Sequence, residues 1–265
     1  MSVALFAREL RGSLPALLVI TAVLALYIVS IAYMFDPEVA HNLDAVMAAM
    51  PDLFAAFGMA NMSTNMTDFM LNYLYGFLFT WVPLLLIMMM VNRMLVRPID
   101  RGSMACLLAT PASRLRIAGS FAACMVAVLV FELALVFAIQ VASAEALFPG
   151  ELDAEKLGWA TVGLLGLWLF MTGLCFASAC AFKDSRLALW GGGGACLALL
   201  LLQVMTQAGE GLDTLATLNP VMYYKPFELA AGSSDAVVGA VCLGLAGIAL
   251  IAAGIAVFCR RDLNV

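Results

Sequence analysis

Six long apolar runs constrain this chain more than any other feature of its sequence. A helix that crosses about 30 Å of hydrocarbon needs about 20 apolar residues, whereas membrane β-strands are about half as long and alternate in polarity. Hydrophobic residues make up 65% of the 265 residues and charged residues only 12%, against about 25% charged in a soluble domain. We therefore predict an all-α polytopic membrane protein in which residues 1–265 form one transmembrane domain. The six predicted spans are Leu14–Met34, Phe69–Val91, Ile117–Val141, Leu157–Phe182, Leu187–Gln207 and Ala236–Cys259.

The lysines and arginines predict how these spans are oriented. Six spans place both termini and the 92–116 and 183–186 loops on one side, which holds every lysine and arginine except Lys156 and Lys225. Because loops rich in these residues stay in the cytoplasm, both termini are predicted to be cytoplasmic. Most acidic residues fall on the outer side, either from topology alone or because an outer mouth attracts cationic cargo.

The segments that precede the first and the last span predict further structure. The opening MSVALFARELR places Val3, Phe6 and Leu10 on one helical face, which predicts a short amphipathic helix lying flat in the cytoplasmic interface. The segment AGEGLDTLATLNPVMYYKPFELAAGSSD, before the last span, is too apolar for a free loop. It is predicted to dip into the outer interface and return, since tyrosine rings suit that depth. Its marker residues are Pro220, Tyr223, Tyr224 and Lys225.

Glu132 is the acidic residue inside a predicted span. An intramembrane carboxylate is a candidate functional residue, so Glu132 either lines a transport path or makes a structural hydrogen bond, with Gln203 or Lys225 as its partner. The run Gly191–Gly194 is not a phosphate loop, because no Lys-Ser or Lys-Thr follows it. These glycines either loosen the helix or allow close packing, as do Gly163/Gly166 and Gly239/Gly244/Gly247.

The chain carries no recognisable catalytic apparatus of its own. Its only histidine, His41, lies in a predicted outer loop, and no predicted span contains an aspartate. HExxH, CxxC and P-loop patterns are missing from the sequence. We therefore expect no enzymatic activity and no cofactor or metal site in this chain.

The stretch RPIDRGSMACLLATPASR is the main concentration of charge between two apolar runs. Pro98 disfavours helix at Arg97 and is predicted to end the second span. Asp100 or Ser103 can cap a new short helix, Gly102 permits the turn before it, and Thr110 with Pro111 is predicted to start the next helix. The short helix should expose an apolar face under a rim of arginines, which is typical of a docking site. The face comprises Met104, Leu107 and Leu108, and the rim comprises Arg97, Arg101, Arg114 and Arg116.

The pattern DRGSMACLLATPASR resembles the coupling-helix stretch of ABC type-2 (ABC-2) permeases, the membrane subunits of bacterial ATP-binding-cassette exporters. FARELRGSLP, LNPVMYYKPFELAAG and VFCRRDL resemble that family in the same order, so the resemblance covers essentially the whole chain. It implies an ABC-2 type exporter fold with an interfacial first helix, a cytoplasmic coupling helix and a re-entrant outer segment. The implied coupling residues are Asp100, Arg101, Gly102, Ser103, Met104, Leu107, Leu108, Pro111 and Arg114.

The resemblance also implies partners. Two cytoplasmic ATPase subunits would bind ATP and magnesium, and a second permease chain, identical or homologous, would complete the path across a bacterial cytoplasmic membrane. The resemblance allows drug, peptide or lipid-like cargo, of which the apolar spans favour amphipathic or lipid-like molecules, and no nucleic acid is expected. An ion-coupled secondary transporter or channel using Glu132 is the alternative, and a non-transporting assembly or sensor protein is a third.

Overall fold

A computed structural model describes residues 3–35, 50, 65–110, 112–208 and 213–261, and within these residues the secondary structure is helical without strands. Six helices are long and apolar enough to cross a membrane, which confirms the predicted all-α, multi-pass membrane protein. These six are α1 (Val3–Met34), α2 (Met66–Asp100), α4 (Arg114–Leu147), α5 (Ala154–Ala181), α6 (Ser185–Ala208) and α9 (Ser234–Arg260). The short helices are α3 (Met104–Leu108), α7 (Asp213–Leu218), a 3₁₀ turn at Pro220–Tyr223 and α8 (Pro226–Ala230).

Each long helix appears where a span was predicted, in the predicted order, although several extend past the predicted ends. The starts of α1, α4 and α6 and the ends of α2, α5 and α9 lie together and carry most of the arginines. We call this the arginine-rich end of the bundle and the opposite end the acidic end. His41 and Pro111 lie outside the described residues.

The predicted flat helix at the amino terminus is not a separate element, because α1 runs from Val3 to Met34 without a break. Its first turns are tied to the end of α2 by Arg93. The guanidinium donates to the Glu9 carbonyl at 2.5 Å and to the Ser13 hydroxyl at 3.1 Å. These bonds hold the start of α1 against the end of α2.

The prediction that the second span ends before Pro98 is also wrong, since α2 continues to Asp100. In an α-helix the proline ring clashes with the carbonyl four residues earlier, which here belongs to Met94. Met94 lies in a π-helical stretch, Asn92–Val96, whose wider turn displaces that carbonyl. A longer π-helical stretch, Leu71–Leu78, lies near the other end of α2.

A second proline in α2 explains a long-range hydrogen bond at the centre of the bundle. Pro83 has no backbone N–H, so the carbonyl of Phe79, four residues earlier, lacks its usual helical donor. The indole N–H of Trp168, from α5, donates to that carbonyl at 2.8 Å. Both side chains are completely buried. The middle of α2 is therefore fixed to α5 by a polar bond inside an apolar core.

We expect Trp168→Phe to lower the free energy of unfolding by about 1–3 kcal/mol, because it leaves the buried Phe79 carbonyl without a donor. The matched control is Trp159→Phe, which removes an indole from the half-exposed outer side of the same helix. Unfolding in mixed detergent micelles, followed by circular dichroism, measures both. Equal losses for the two variants would show that the bond from Trp168 to the Phe79 carbonyl does not contribute to the free energy of unfolding.

The central helix of the bundle is α5, which packs against α2, α4, α6, α8 and α9. Its contact with α9 is built from small residues, which let two backbones approach closely. A methyl group at Gly173 would lie 2.6 Å from the Gly247 carbonyl oxygen, and one at Gly254 would lie 2.8 Å from the Phe176 ring. Gly166 faces the carbonyl of Ala240. This confirms close packing as the role of Gly166 and Gly247.

The run Gly191–Gly194 is helical and serves the same purpose. A methyl group at Gly192 would lie 2.5 Å from the Cys175 Cα, and one at Gly193 would lie 2.6 Å from the Met88 side chain. At Gly194 a methyl group would meet nothing within 4 Å. Of the two predicted roles, close packing against α5 and α2 is the one that the structure supports.

Candidate functional site

The short helix α3 lies between α2 and α4 at the arginine-rich end. Gly102 has a φ of +69°, a conformation that glycine adopts without strain, and this turn separates α3 from α2 as predicted. Ser103 occupies the N-cap position but makes no capping bond with its side chain. The Thr110 hydroxyl donates to the Leu107 carbonyl at 2.6 Å and so closes the end of α3.

The predicted start of the following helix is corrected. The cap of α4 is Ser113, whose hydroxyl accepts a hydrogen bond from the Arg116 N–H at 3.3 Å. Thr110 belongs to the end of α3 and does not cap α4. The described residues between α3 and α4, which are Ala109, Thr110, Ala112 and Ser113, are exposed or half-buried.

The predicted apolar face of α3 does not point outward. Met104 is completely buried and Leu107 packs, half-buried, against the core, and the side chain of Leu108 lies outside the described part of the chain. A five-residue helix carries too little apolar surface to stand alone, so its large side chains join the nearest core. The residues of α3 and its flanks that are exposed are Arg101, Gly102, Ser103, Cys106, Ala109 and Thr110.

The arginines around α3 divide into two groups. Arg97, Arg101 and Arg116 are exposed, as is Asp100. Arg114 instead donates to the carbonyl of Arg261 at 2.8 Å, and Arg261 donates to the carbonyl of Cys180 at 3.0 Å. Cys180 lies in the last turn of α5, whose carbonyls lack helical donors. Arg114 therefore ties the start of α4 to the end of α9, Arg261 ties that end to α5, and Arg114 is not a free member of the rim.

Arg93 forms a second fastening at this end, between α1 and α2. Its Nη2 lies 2.9 Å from the Glu9 carboxylate, and both side chains are largely buried. A side chain at position 12 would overlap the Arg93 guanidinium, so Gly12 leaves room for Arg93 to cross α1 in this position. The Arg93–Glu9 pair thus joins α1 to α2 beside α3.

Glu132 lies near the middle of α4 and is completely buried against α1. Its Oε2 accepts a hydrogen bond from the Thr21 hydroxyl at 2.5 Å, whereas Oε1 has no partner among the described residues. The predicted partners are wrong. Lys225 pairs with Glu228 at 2.9 Å on the surface, and Gln203 lies on α6, which packs against α2 and α5.

The described part of the segment before α9 packs between the long helices, and its dip into the outer interface stays a prediction. The buried Asn219 donates to the Leu199 carbonyl of α6 at 2.9 Å and accepts from the Val221 N–H at 3.1 Å. The buried Tyr224 donates to the carbonyl of Ala160 at 3.4 Å. Ala160 is six residues into α5, which places Tyr224 about 9 Å along that helix.

The predicted marker residues of this segment play unequal parts. Pro220 begins the 3₁₀ turn, and the carbonyl of Tyr223 lies 2.7 Å from where a methyl group at Gly239 would be. The side chains of Tyr223 and Lys225 are about half exposed. Only Tyr224 among the two tyrosines inserts between helices.

Sequence reasoning missed Glu9, Gly12, Arg93, Thr21 and Asn219 as structural partners. A local signal existed for Asn219, since asparagine before proline often starts a turn through its own side chain. For Thr21 the partner lies 111 residues away, and no nearby residue indicates the pairing.

Comparison with known proteins does not assign the chain to a family. No protein-family model matches the sequence, and no curated protein matches it either.

Proposed function

We propose that this chain is the permease subunit of an ATP-driven ABC-2 exporter in a bacterial cytoplasmic membrane. In this proposal the arginine-rich end faces the cytoplasm, and two separate ATPase subunits bind ATP and magnesium there. A second permease chain, identical or homologous, completes the path for drug, peptide or lipid-like cargo.

The observation that carries the proposal is α3 itself. It is a separate short helix, set off from α2 by the positive-φ turn at Gly102 and from α4 by residues 109–113. It sits among the exposed arginines Arg97, Arg101 and Arg116. A short helix between two spans, on the side assigned to the cytoplasm by the positive-inside rule, is where the resemblance to ABC-2 permeases places the coupling helix.

The packing of α3 supports a way of passing motion to the spans. Met104 anchors α3 in the core, while the exposed side chains of Ser103, Cys106 and Ala109 are small and leave a surface for a partner. A partner that moves α3 would act on α2 directly, because only the turn at residues 101–103 separates them. Arg93 would carry the displacement to α1 through Glu9.

The test is purification of the tagged chain from its native host in a mild detergent, with mass spectrometry of its partners. We expect a soluble ATPase to co-purify and the complex to hydrolyse Mg-ATP. Cys106, the exposed cysteine of α3, should react more slowly with a water-soluble maleimide in that complex. Recovery of the chain without an ATPase from several detergents would overturn the proposal.

The buried carboxylate of Glu132 supports a second candidate, an ion-coupled transporter or channel. Its Oε1 is buried without a partner among the described residues. Such a group is costly in a membrane interior, and an intramembrane carboxylate is therefore a candidate functional residue. Three cavities, one at the arginine-rich end, one between α4 and α9 and one between α5, α8 and α9, are not lined by Glu132. Under the ABC proposal, the hydrogen bond between Glu132 and Thr21 has a structural role.

Proteoliposomes loaded with a pH-sensitive dye or with a cation-sensitive dye separate the two candidates. The second candidate requires a proton or cation flux that Glu132→Gln abolishes, with Glu145→Gln, an exposed acid of the same helix, as the control. Under the ABC proposal we expect no flux in any of the three proteins.

We also expect Thr21→Val to lower the free energy of unfolding by about 1–3 kcal/mol, since it leaves both Glu132 oxygens unpaired.

A further inference from the structure

A cavity of about 620 Å³ opens at the arginine-rich end between α1, α2, α3 and α4. This volume falls in the range of about 300–1,000 Å³ that is usual for small-ligand sites. Its polar lining comes from Arg8, Glu9, Arg93 and Ser103, and its apolar lining includes Leu107 and Phe121. The lining thus combines two arginines and one carboxylate with apolar side chains.

The charges around this cavity leave cationic donors for a ligand. The Glu9 carboxylate is already paired with Nη2 of Arg93. Arg8 has no hydrogen bond or ion pair with any described residue, and the three bonds of Arg93 all come from Nη2. Arg8 and the remaining N–H groups of Arg93 are therefore available to an anion.

We propose that this cavity binds a phosphate group, with an anionic phospholipid as its source. Guanidinium groups bind phosphate through paired, charge-assisted hydrogen bonds. The cavity lies where three membrane-length helices end, the level at which lipid phosphates meet a bundle, and basic cavities between helices bind anionic headgroups. Leu107 and Phe121 would contact the glycerol and upper acyl chains. This inference does not depend on the exporter proposal.

The placement of the cavity gives the lipid a structural effect. Ser103, Cys106 and Leu107 belong to α3 or its N-cap, so an occupant touches the short helix directly. On the opposite wall it touches Arg8 and Gly12 of α1. A bound headgroup would therefore hold α3 against α1, in addition to the bond between Arg93 and Glu9.

Native mass spectrometry of the purified full-length chain in a mild detergent tests the site. The probes are phosphatidylglycerol, phosphatidylcholine with the same acyl chains, and inorganic phosphate. We expect phosphatidylglycerol to be retained about fivefold better than phosphatidylcholine, whose choline cancels the phosphate charge. The Cys106 peptide should also react more slowly with maleimide when phosphatidylglycerol is bound.

Three variants make the test specific to the cavity. Arg8→Gln should reduce phosphatidylglycerol retention about fivefold, and Ser103→Glu should do the same by adding a negative charge to the lining. Arg11→Gln is the matched control, because Arg11 is exposed on the same helix but does not line the cavity. All three positions are exposed, so folding should be unchanged, as circular dichroism would verify.

Each outcome decides the inference. Selective retention that is lost in Arg8→Gln but kept in Arg11→Gln supports a phospholipid site. Displacement of the lipid by millimolar inorganic phosphate supports a phosphate site that is also filled from solution. Equal retention of the two lipids, or equal effects of Arg8→Gln and Arg11→Gln, would overturn the proposal.

Discussion

Replacing Gly247 with alanine should lower the free energy of unfolding by about 3 kcal/mol. The added methyl group would lie 2.6 Å from the backbone nitrogen of Phe170, and it would also overlap the Leu169 carbonyl. Backbone cannot rotate away as a side chain can, so α9 must separate from the central helix α5. Helix packing in membranes depends on such close contact. Unfolding in mixed detergent micelles measures the loss.

Gly194→Ala is the matched control for this prediction. It adds the same methyl group inside another membrane helix, but nothing lies within 4 Å of it. Alanine is the better helix former, so this variant should gain about 0.5–1 kcal/mol. If Gly247→Ala proved as stable as Gly194→Ala, the close crossing of α5 and α9 would be incorrect.

Arg101→Glu combined with Ala109→Glu should reduce recovery of the co-purifying ATPase about tenfold or more, which corresponds to about 1.4 kcal/mol of binding free energy. Both side chains are exposed beside α3, so the substitutions leave its core contacts intact. They replace one positive charge and one small side chain by two negative charges on the proposed docking surface. Like charges placed opposite each other at an interface cost several kcal/mol. Affinity purification followed by quantitative mass spectrometry measures the recovery.

Arg186→Glu is the control for this second prediction. Arg186 is exposed at the same end of the bundle, at the start of α6, and the substitution makes the same reversal of charge away from α3. Recovery of the ATPase with Arg186→Glu should match that of the unchanged protein. Equal recovery from all three proteins would place the docking surface somewhere other than α3.

The spans could be predicted because they depend on local composition. Each run of about 20 apolar residues must be helical in lipid, so number, order and approximate bounds followed from the sequence. The turn at Gly102 and the packing of Gly166 and Gly247 were predictable for a similar reason. Glycine has few uses inside a chain other than unusual φ and close approach.

The details of the candidate site were harder to predict because tertiary contacts decide them. Met104 has the spacing of an exposed apolar face, yet α3 is too short to resist turning that side chain into the core. The interruption expected at Pro98 assumed regular α geometry, which the π-helical turn before it replaces. Glu132 and Thr21, or Arg93 and Gly12, are distant in sequence, and neither pair leaves a mark in a local pattern.

The bond between Trp168 and the Phe79 carbonyl gives α2 a fulcrum. Sliding α2 along α5 would break this bond and expose a polar group to an apolar core, whereas tilting about it would not. From Phe79 the helix extends about 31 Å to Asp100 and about 20 Å to Met66. If the arginine-rich end of α2 is displaced, the acidic end of α2 would therefore move in the opposite direction, by about two-thirds of that displacement. A force applied next to α3 would thus act as a lever on the far face of the membrane.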